Sequence, residues 1–326
     1  MLVMRGFPVV SPAAIVFGSL NMDLVATVPR LPLPGETILG DRLLTVPGGK
    51  GANQAVALAK LGIPTAIVGR VGADGFGQQL GEQLTAAGVD ITGIAQDQTV
   101  ASGVALIAVD AQGENQILVI PGANGQVGQP EIDRLQPLLP HAQFLLLQLE
   151  IPFAAVITAA QAANQQGVQV VLDPAPVREP LPLTLYPLVD ILTPNAIEAS
   201  QLVGWPVTDG NTAITAAQTL CEWGAKAVVV TLGSQGVAWA TPTTIGQLAA
   251  YPVTAIDTVA AGDAFNGGLV TALIAGLPWT EALRWGMAAG ALATLKPGAQ
   301  ASLPDRASLA TFLATDGSEG TECVQM

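Results

Sequence analysis

The chain has a single histidine, His141, and only two cysteines, Cys221 and Cys323. One histidine cannot build a His-rich metal site within the chain. A Ser–His–Asp triad would have to use His141, which precedes a run that reads as a buried strand. Two cysteines are too few for a disulfide framework or a structural zinc site. Hydrolase and zinc chemistry therefore lack their usual residues. Basic side chains are scarce as well: 12 Lys and Arg stand against 25 Asp and Glu, for a net charge of −13 and a pI near 4.3. Such a surface repels phosphate backbones, which removes nucleic acid as a partner. Long apolar runs are missing too, although the mean hydropathy is +0.49. The uncharged stretches 151–172, 227–256 and 264–280 are broken by Gln, Gly, Asn or Pro, and none offers the ~20 apolar residues of a spanning helix. The opening MLVMRGFPVVSPAAIVFGSL imitates a leader, but two prolines interrupt it and Ala13 to Phe17 reads as a first buried strand. The expectation is a soluble cytoplasmic protein without a membrane partner.

What is present is alternation. Nearly continuous apolar runs at 13–17, 65–69, 144–148, 168–172, 189–193 and 227–232 predict strands covered on both faces. Helical patterns fall between and after them at 52–61, 77–87, 152–166, 195–203, 211–223, 263–276 and 279–295. That order predicts an α/β fold with a central, mostly parallel sheet flanked by helices. Length alone would suggest two units at about 150 residues each, but no linker interrupts the alternation. A single domain over 12–314 is expected. Two regions carry alternating strand-like segments and no helix: 24–47 and 102–120, the second turning at Asp110–Gly113. They read as antiparallel hairpins forming a small β-sheet lid outside the main layer. The tail 315–326 has no periodic pattern and reads as disordered.

Two nucleotide motifs are absent. A P-loop would need Gly where Leu44 stands and Ser or Thr where Gly51 stands, beside Lys50. Gly75-Phe-Gly77 is followed by Gln78, Gln79 and Leu80, so the dinucleotide fingerprint of a dehydrogenase fails. The strongest local signal is DTVAAGDAFNGG, residues 257–268. Its small residues lead into a helix starting near Asp263, and such a turn aims backbone N–H groups and a helix dipole at one point. Asp263 could alternatively be only the helix cap. The turn at Gly48–Asn53 opens a second helix; its glycines suffice for a tight turn, or Lys50 and Asn53 could project to a ligand. Asn21 and Asp23 follow strand one, where open α/β sheets bind ligands, though an Asx turn would explain them equally well. Asn195 and Glu198 could form a cap or a polar pair near a metal–phosphate group.

Together GGKGAN, DTVAAGDAFNGG, NAIE and TLGSQG resemble the ribokinase family of sugar kinases (PfkB-type). The similarity runs from about Ala14 to Pro304 and includes GSLNMD, PGETILG, LLLQLE, DPAPVRE, LTPN and KPGAQASLP. The resemblance implies ATP-dependent phosphorylation of D-ribose at the O5 hydroxyl. The alternatives are another unphosphorylated sugar or a nucleoside as substrate, or a non-catalytic sugar- or nucleotide-binding regulator on the same fold. It further implies a sugar set of Asn21, Asp23, Gly49, Lys50, Asn53, Glu150 and Asp263, with Asp263 as general base and an anion hole at Ala261, Gly262 and Asp263. No candidate sugar position is Arg, as a phosphorylated sugar would want. ATP would lie along Asn195, Thr231, Gly233, Gly236 and Gly262, with Glu198 associated with Mg²⁺ and phosphate. A K⁺ loop would use Asp257, Val259, Ala293, Lys296, Gly298 and Ser302; alternatively Asp257 only hydrogen-bonds that loop, or the Lys296 ammonium takes the cation's place. The lid would pair with its counterpart in a homodimer. Three departures stand out: Met287 near the adenine position, Lys296-Pro297 in place of a more basic pair, and Ala301 in place of a proline.

Overall fold

Apolar β-branched runs and small-residue helices alternate along the chain as the periodicity predicts. Strands β1 (Ala14–Phe17), β2 (Asn21–Thr27) and β3 (Arg42–Gly48) are followed by helix α1 (Lys50–Lys60). Strand β4 (Thr65–Gly72), helix α2 (Gly75–Ala86), and strands β5 (Asp90–Asp97), β6 (Gly103–Val109) and β7 (Asn115–Ile120) come next. Helix α3 (Gln129–Leu135), strand β8 (Phe144–Leu147), helix α4 (Phe153–Gln165), strand β9 (Gln169–Leu172) and strand β10 (Ile191–Leu192) lead into helices α5 (Ala196–Val203) and α6 (Gly210–Glu222). Strands β11 (Ala227–Thr231), β12 (Val237–Ala240) and β13 (Thr244–Leu248) precede helices α7 (Ala261–Ile274), α8 (Trp279–Ala293), α9 (Ala299–Ser302) and α10 (Arg306–Thr315). Strand β14 (Thr321–Gln325) comes last. This computed structural model describes residues 11–315 and the backbone of 321–325. The leader-like residues 1–10 lie outside them.

Ten strands form one sheet in the order β14-β13-β12-β11-β10-β9-β8-β1-β4-β5. Its pairs from β11 to β5 are parallel, whereas β12, β13 and β14 add an antiparallel edge. Side chains alternate across the pleat. Ala14 and Val16 pack in a core with α1, α2, α7 and α8, while Ile15 and Phe17 pack in the opposite core with α3, α4, α5 and α6. Among the described residues, no helix is long and apolar enough to cross a membrane.

Four strands form a second sheet in the order β3-β2-β6-β7. The two antiparallel pairs match the expected hairpins, and the second turns at Asp110–Gly113, where Gly113 N–H bonds the Asp110 carbonyl. The pair that joins them, β2 and β6, is parallel. Strand β2 also starts three residues earlier than expected, so Asn21 and Asp23 sit on a lid strand and not in an Asx turn. The tail needs a correction: Thr321–Gln325 pairs along β13. Strand β13 would otherwise expose a row of unpaired backbone groups, and covering that edge gives an aperiodic tail a place in the sheet. Residues 316–320 and 326 lie outside the described residues.

Candidate active site

The parallel strands deliver their polar residues at their carboxyl ends, beside the lid. Beyond β1 lies Ser19, beyond β8 lie Gln148 and Glu150, and beyond β9 lies Asp173. Beyond β10 lie Thr193 and Asn195. Helices α1 and α7 converge on the same point because glycine lets them touch: a Cβ on Gly267 would come within 2.6 Å of the Ala57 side chain. One turn before that contact, Asn53 and Gln54 of α1 face Asp263 of α7.

Asp263 is 4% exposed and is the third residue of its helix, not its cap. The N-cap is Ala260, held at φ 60°. Both carboxylate oxygens of Asp263 accept amide hydrogens, Oδ2 from Asn53 Nδ2 at 2.9 Å and Oδ1 from Gln54 Nε2 at 3.1 Å. Burial pushes this carboxyl up to about 6, against the pull of the Lys50 ammonium and with a further push from Asp173. At the head of α7, Ala261 N–H reaches back to the Thr258 carbonyl at 3.3 Å. Among the described residues no acceptor takes the N–H of Gly262 or Asp263, as the first turn of a helix dictates. These two donors stand beside the carboxylate.

Glu150 lies across the start of α1. Its Oε2 accepts from Ser19 Oγ at 2.5 Å, Lys50 N at 3.1 Å and Asn21 Nδ2 at 3.5 Å. Gly49 precedes that helix at φ 87°, and a Cβ there would press on Asn21 N at 2.7 Å, so both strain and crowding require glycine. On β2, Asp23 lies over Gly48, with no room there for a Cβ. Burial first, then the charges of Glu150 and Asp263, push Asp23 up to about 7. The Lys50 ammonium pairs with Asp173 Oδ2 at 3.3 Å. Burial opposes its charge, but Asp173, Asp263, Glu150 and Glu198 outweigh that and hold it above the usual lysine value. The seven positions marked in the sequence as a sugar set (Asn21, Asp23, Gly49, Lys50, Asn53, Glu150 and Asp263) thus lie in one cluster of hydrogen-bonded and charge-coupled polar groups.

Sequence reasoning passed over several members of this network. Gln54 bridges Asp263 and Asp173, and its Oε1 accepts from Gln148 Nε2 at 2.6 Å. Asn124 holds the Asn21 amide oxygen at 2.8 Å and both backbone groups of Leu20. Thr193 and Asn266 bond each other at 2.9 Å. Position at a strand's carboxyl end is the signal that could have found Asp173; buried amides on helices and turns carry none.

On the other side of the α7 head lies a cavity of about 410 Å³. Thr231, Gly233, Gly236, Ala261 and Gly262 line it, with Tyr251, Phe265 and Met287 supplying an apolar wall. Asn195 bridges to Thr231 nearby, and it forms a reciprocal cap with Glu198 through bonds of 2.8 and 2.9 Å. The cap reading of this pair is what the geometry contains. Among the described residues no cluster of three or more His, Cys, Asp or Glu could hold a metal by itself. A magnesium ion would thus fit here mainly on phosphate oxygens, with the half-buried Glu198 carboxylate as the protein's contribution. In the proposed cation loop, Asp257 Oδ2 accepts Gly298 N–H at 2.8 Å and Oδ1 accepts Val259 N–H at 3.0 Å. The alternative in which Asp257 hydrogen-bonds that loop is thus what the geometry contains, and among the described residues no ion pair joins Lys296 to Asp257. Ser302 is buried and donates to the Ala299 carbonyl at 2.9 Å, and Ala293 ends α8 beside this loop. The donor set is oxygen throughout, which suits a monovalent hard cation.

Known proteins resemble this chain in sequence and fold. The family described as pfkB family carbohydrate kinase matches residues 12–306. Ribokinase of Haemophilus influenzae is 40% identical over 298 residues, covering 91% of this chain and 97% of that one. Ribokinase of Staphylococcus aureus is 37% identical over 292 residues, covering 89% and 96%. The structure of Arabidopsis thaliana ribokinase complexed with ribose and ATP superposes with a TM-score of 0.87 at 35% identity, covering 93% of this chain and 99% of that one. The chain belongs to the pfkB family of carbohydrate kinases.

Proposed function

We propose that this chain transfers the γ-phosphoryl group of ATP to the O5 hydroxyl of D-ribose, giving D-ribose 5-phosphate. One observation carries the reading: a buried carboxylate, Asp263, stands between a cluster of amides and carboxylates and a cavity at a helix head, where two N–H groups have no acceptor among the described residues. The relatives named ribokinase, one of them complexed with ribose and ATP, support the choice of substrate.

Amides and carboxylates suit hydroxyl groups, so Asn21, Asp23, Asn53 and Glu150 hold the sugar. Gly49 leaves room for it, and Lys50 lies between it and the phosphates. The nucleotide occupies the cavity lined by Thr231, Gly233, Gly236 and Gly262, with Asn195 at its edge. Asp263 accepts the O5 proton as the oxygen attacks, and its two amide partners keep the carboxylate ionised and aimed. The N–H groups of Gly262 and Asp263 stabilise charge on the transferring group, and Ala261 sets the turn that presents them. When bound, Mg²⁺ neutralises phosphate charge, which lets ATP approach an acidic chain. K⁺ is assigned to Asp257, Ser302 and the carbonyls of Val259, Ala293, Lys296 and Gly298. The lid joins two chains in a homodimer, and the cytoplasm, where ATP is made available, is the place of action. The test is to incubate the enzyme with ATP and ribose labelled at C5 and to read the product by NMR. A phosphomonoester coupled to the C5 position supports the reading; phosphate on any other carbon, or none, overturns it.

A further inference from the structure

We propose that Asp173 is a positioning residue for phosphoryl transfer, fixing the Lys50 ammonium and, through the Gln54 amide, the orientation of the Asp263 carboxylate. The inference rests on the kinase reading above and extends it to a residue outside the sugar and nucleotide sets. Asp173 follows β9 at its carboxyl end and is 5% exposed. Its Oδ2 takes two donors from α1, Lys50 Nζ at 3.3 Å and Gln54 Nε2 at 3.0 Å. The same Gln54 nitrogen donates to Asp263 Oδ1 at 3.1 Å, so one amide group ties the two carboxylates together. The Gln54 nitrogen is kept toward the two carboxylates, where a turned amide would set oxygen against acceptors, and its oxygen accepts from Gln148 Nε2 at 2.6 Å.

Two consequences follow. Without the Asp173 charge, Lys50 loses its ion-pair partner, and its remaining attraction turns to the other carboxylates around it. The charged groups facing Asp263 are Lys50 on α1, Asp173 after β9 and Asp23 on β2; Glu150 and Glu198 act on Lys50, and burial pushes Asp173 itself up to about 6. Removing one negative charge from that set favours the ionised base, since burial and the Asp173 charge both push it toward the proton. A residue that merely supported the fold would lower stability and leave the pH response alone.

The test measures kcat/KM for ATP at saturating ribose across about pH 5 to 9, the span over which a raised carboxylate loses its proton. In Asp173→Asn, which keeps the size of the side chain, the acid limb should move down by about half a unit or more. Its kcat should fall about tenfold as the aim of Lys50 and Asp263 loosens, and Asp173→Glu should return the limb toward its original position. An active, folded Asp173→Asn enzyme with an unmoved limb would overturn the inference. Should Asp173→Asn fail to fold, Gln54→Met cuts the same link while leaving the ion pair intact. It should lose kcat about tenfold with little change in KM for ATP, and unchanged kcat would overturn the inference equally. If the unaltered enzyme does not phosphorylate ribose, the activity reading fails and this inference with it. If it does and the limb stays put, only the inference fails.

Discussion

Asp263 is a buried carboxylate and Asp23 a half-buried one, and burial works against the charge of both. For Asp23 the folded chain holds a proton up to about pH 7, whereas an exposed aspartate gives its proton up near 3.8. Its contribution to stability is therefore fully present below the unfolded value and is lost as pH rises through about 7. Asp23→Asn removes that loss. Its melting temperature at about pH 8 should exceed that of the unaltered chain by about 2–4 °C or more, and the gap should close below about pH 4. At about pH 8, where Asp23 is ionised, KM for ribose should rise at least about tenfold, the cost of one hydrogen bond to a charged group, with KM for ATP nearly unchanged. A melting difference that is the same at every pH would contradict the burial argument. Residues of this kind were legible because they sit in motifs: Asp23, Lys50, Asn53 and Asp263 all stand beside glycines or strand ends. Gln54 and Asn124 were not, because their roles come from chain segments about 100 to 210 residues away.

Helix α7 and the segments it touches show the same division. The sequence placed its start within two residues, yet missed the geometry: Ala260 takes the left-handed conformation, which alanine seldom adopts and no spacing rule forecasts. Two glycines of one motif then do different things. A Cβ on Gly262 would meet nothing within 4 Å, while one on Gly267 would strike Ala57 at 2.6 Å. Gly262→Ala should leave the melting temperature unchanged or raised, since alanine favours a helix by about 0.8–1.0 kcal/mol. Its kcat/KM for ATP should nonetheless fall about tenfold or more, because the added methyl occupies the phosphate's approach. Gly267→Ala should destabilise the fold by about 1–3 kcal/mol through overpacking. Equal melting losses in both would refute the assignment, and thermal denaturation of the pair decides it. Asp257 ties the segment before α7 to the loop before α9. A cation held there stiffens the α7 head without touching substrate, so K⁺ should raise kcat over Na⁺ or a bulky organic cation at equal ionic strength. Asp257→Ala should abolish that stimulation, and equal rates in all three salts would rule the site out.

For the molecule as a whole, the parallel sheet was legible from its apolar runs, and the antiparallel edge was not. Strand β13 carries Thr244, Gly246 and Gln247 among its five residues, so it lacks the continuous apolar run that marks the parallel strands, and β12 adds only four residues beside it. The lid is the part that one chain leaves open. Leu43, Leu106 and Leu118 are 65, 40 and 60% exposed. They share the lid face opposite Asp23, in register with Leu24 and Ala26. A contiguous apolar face of that sort fits burial against a second copy. Leu118→Lys should therefore convert dimer to monomer in sedimentation while leaving the main domain folded by circular dichroism; a wild-type chain that sediments as a monomer would remove the lid interface. The most direct measurement of the central claim is ADP release from ATP over ribose, 2-deoxyribose, fructose and adenosine, run in parallel with Asp263→Asn. Ribose should give the highest kcat/KM, and the folded variant should lose kcat by about 10²–10⁴-fold. Faster turnover of fructose or adenosine would contradict ribose as the substrate, and a fully active Asp263→Asn would contradict the site itself.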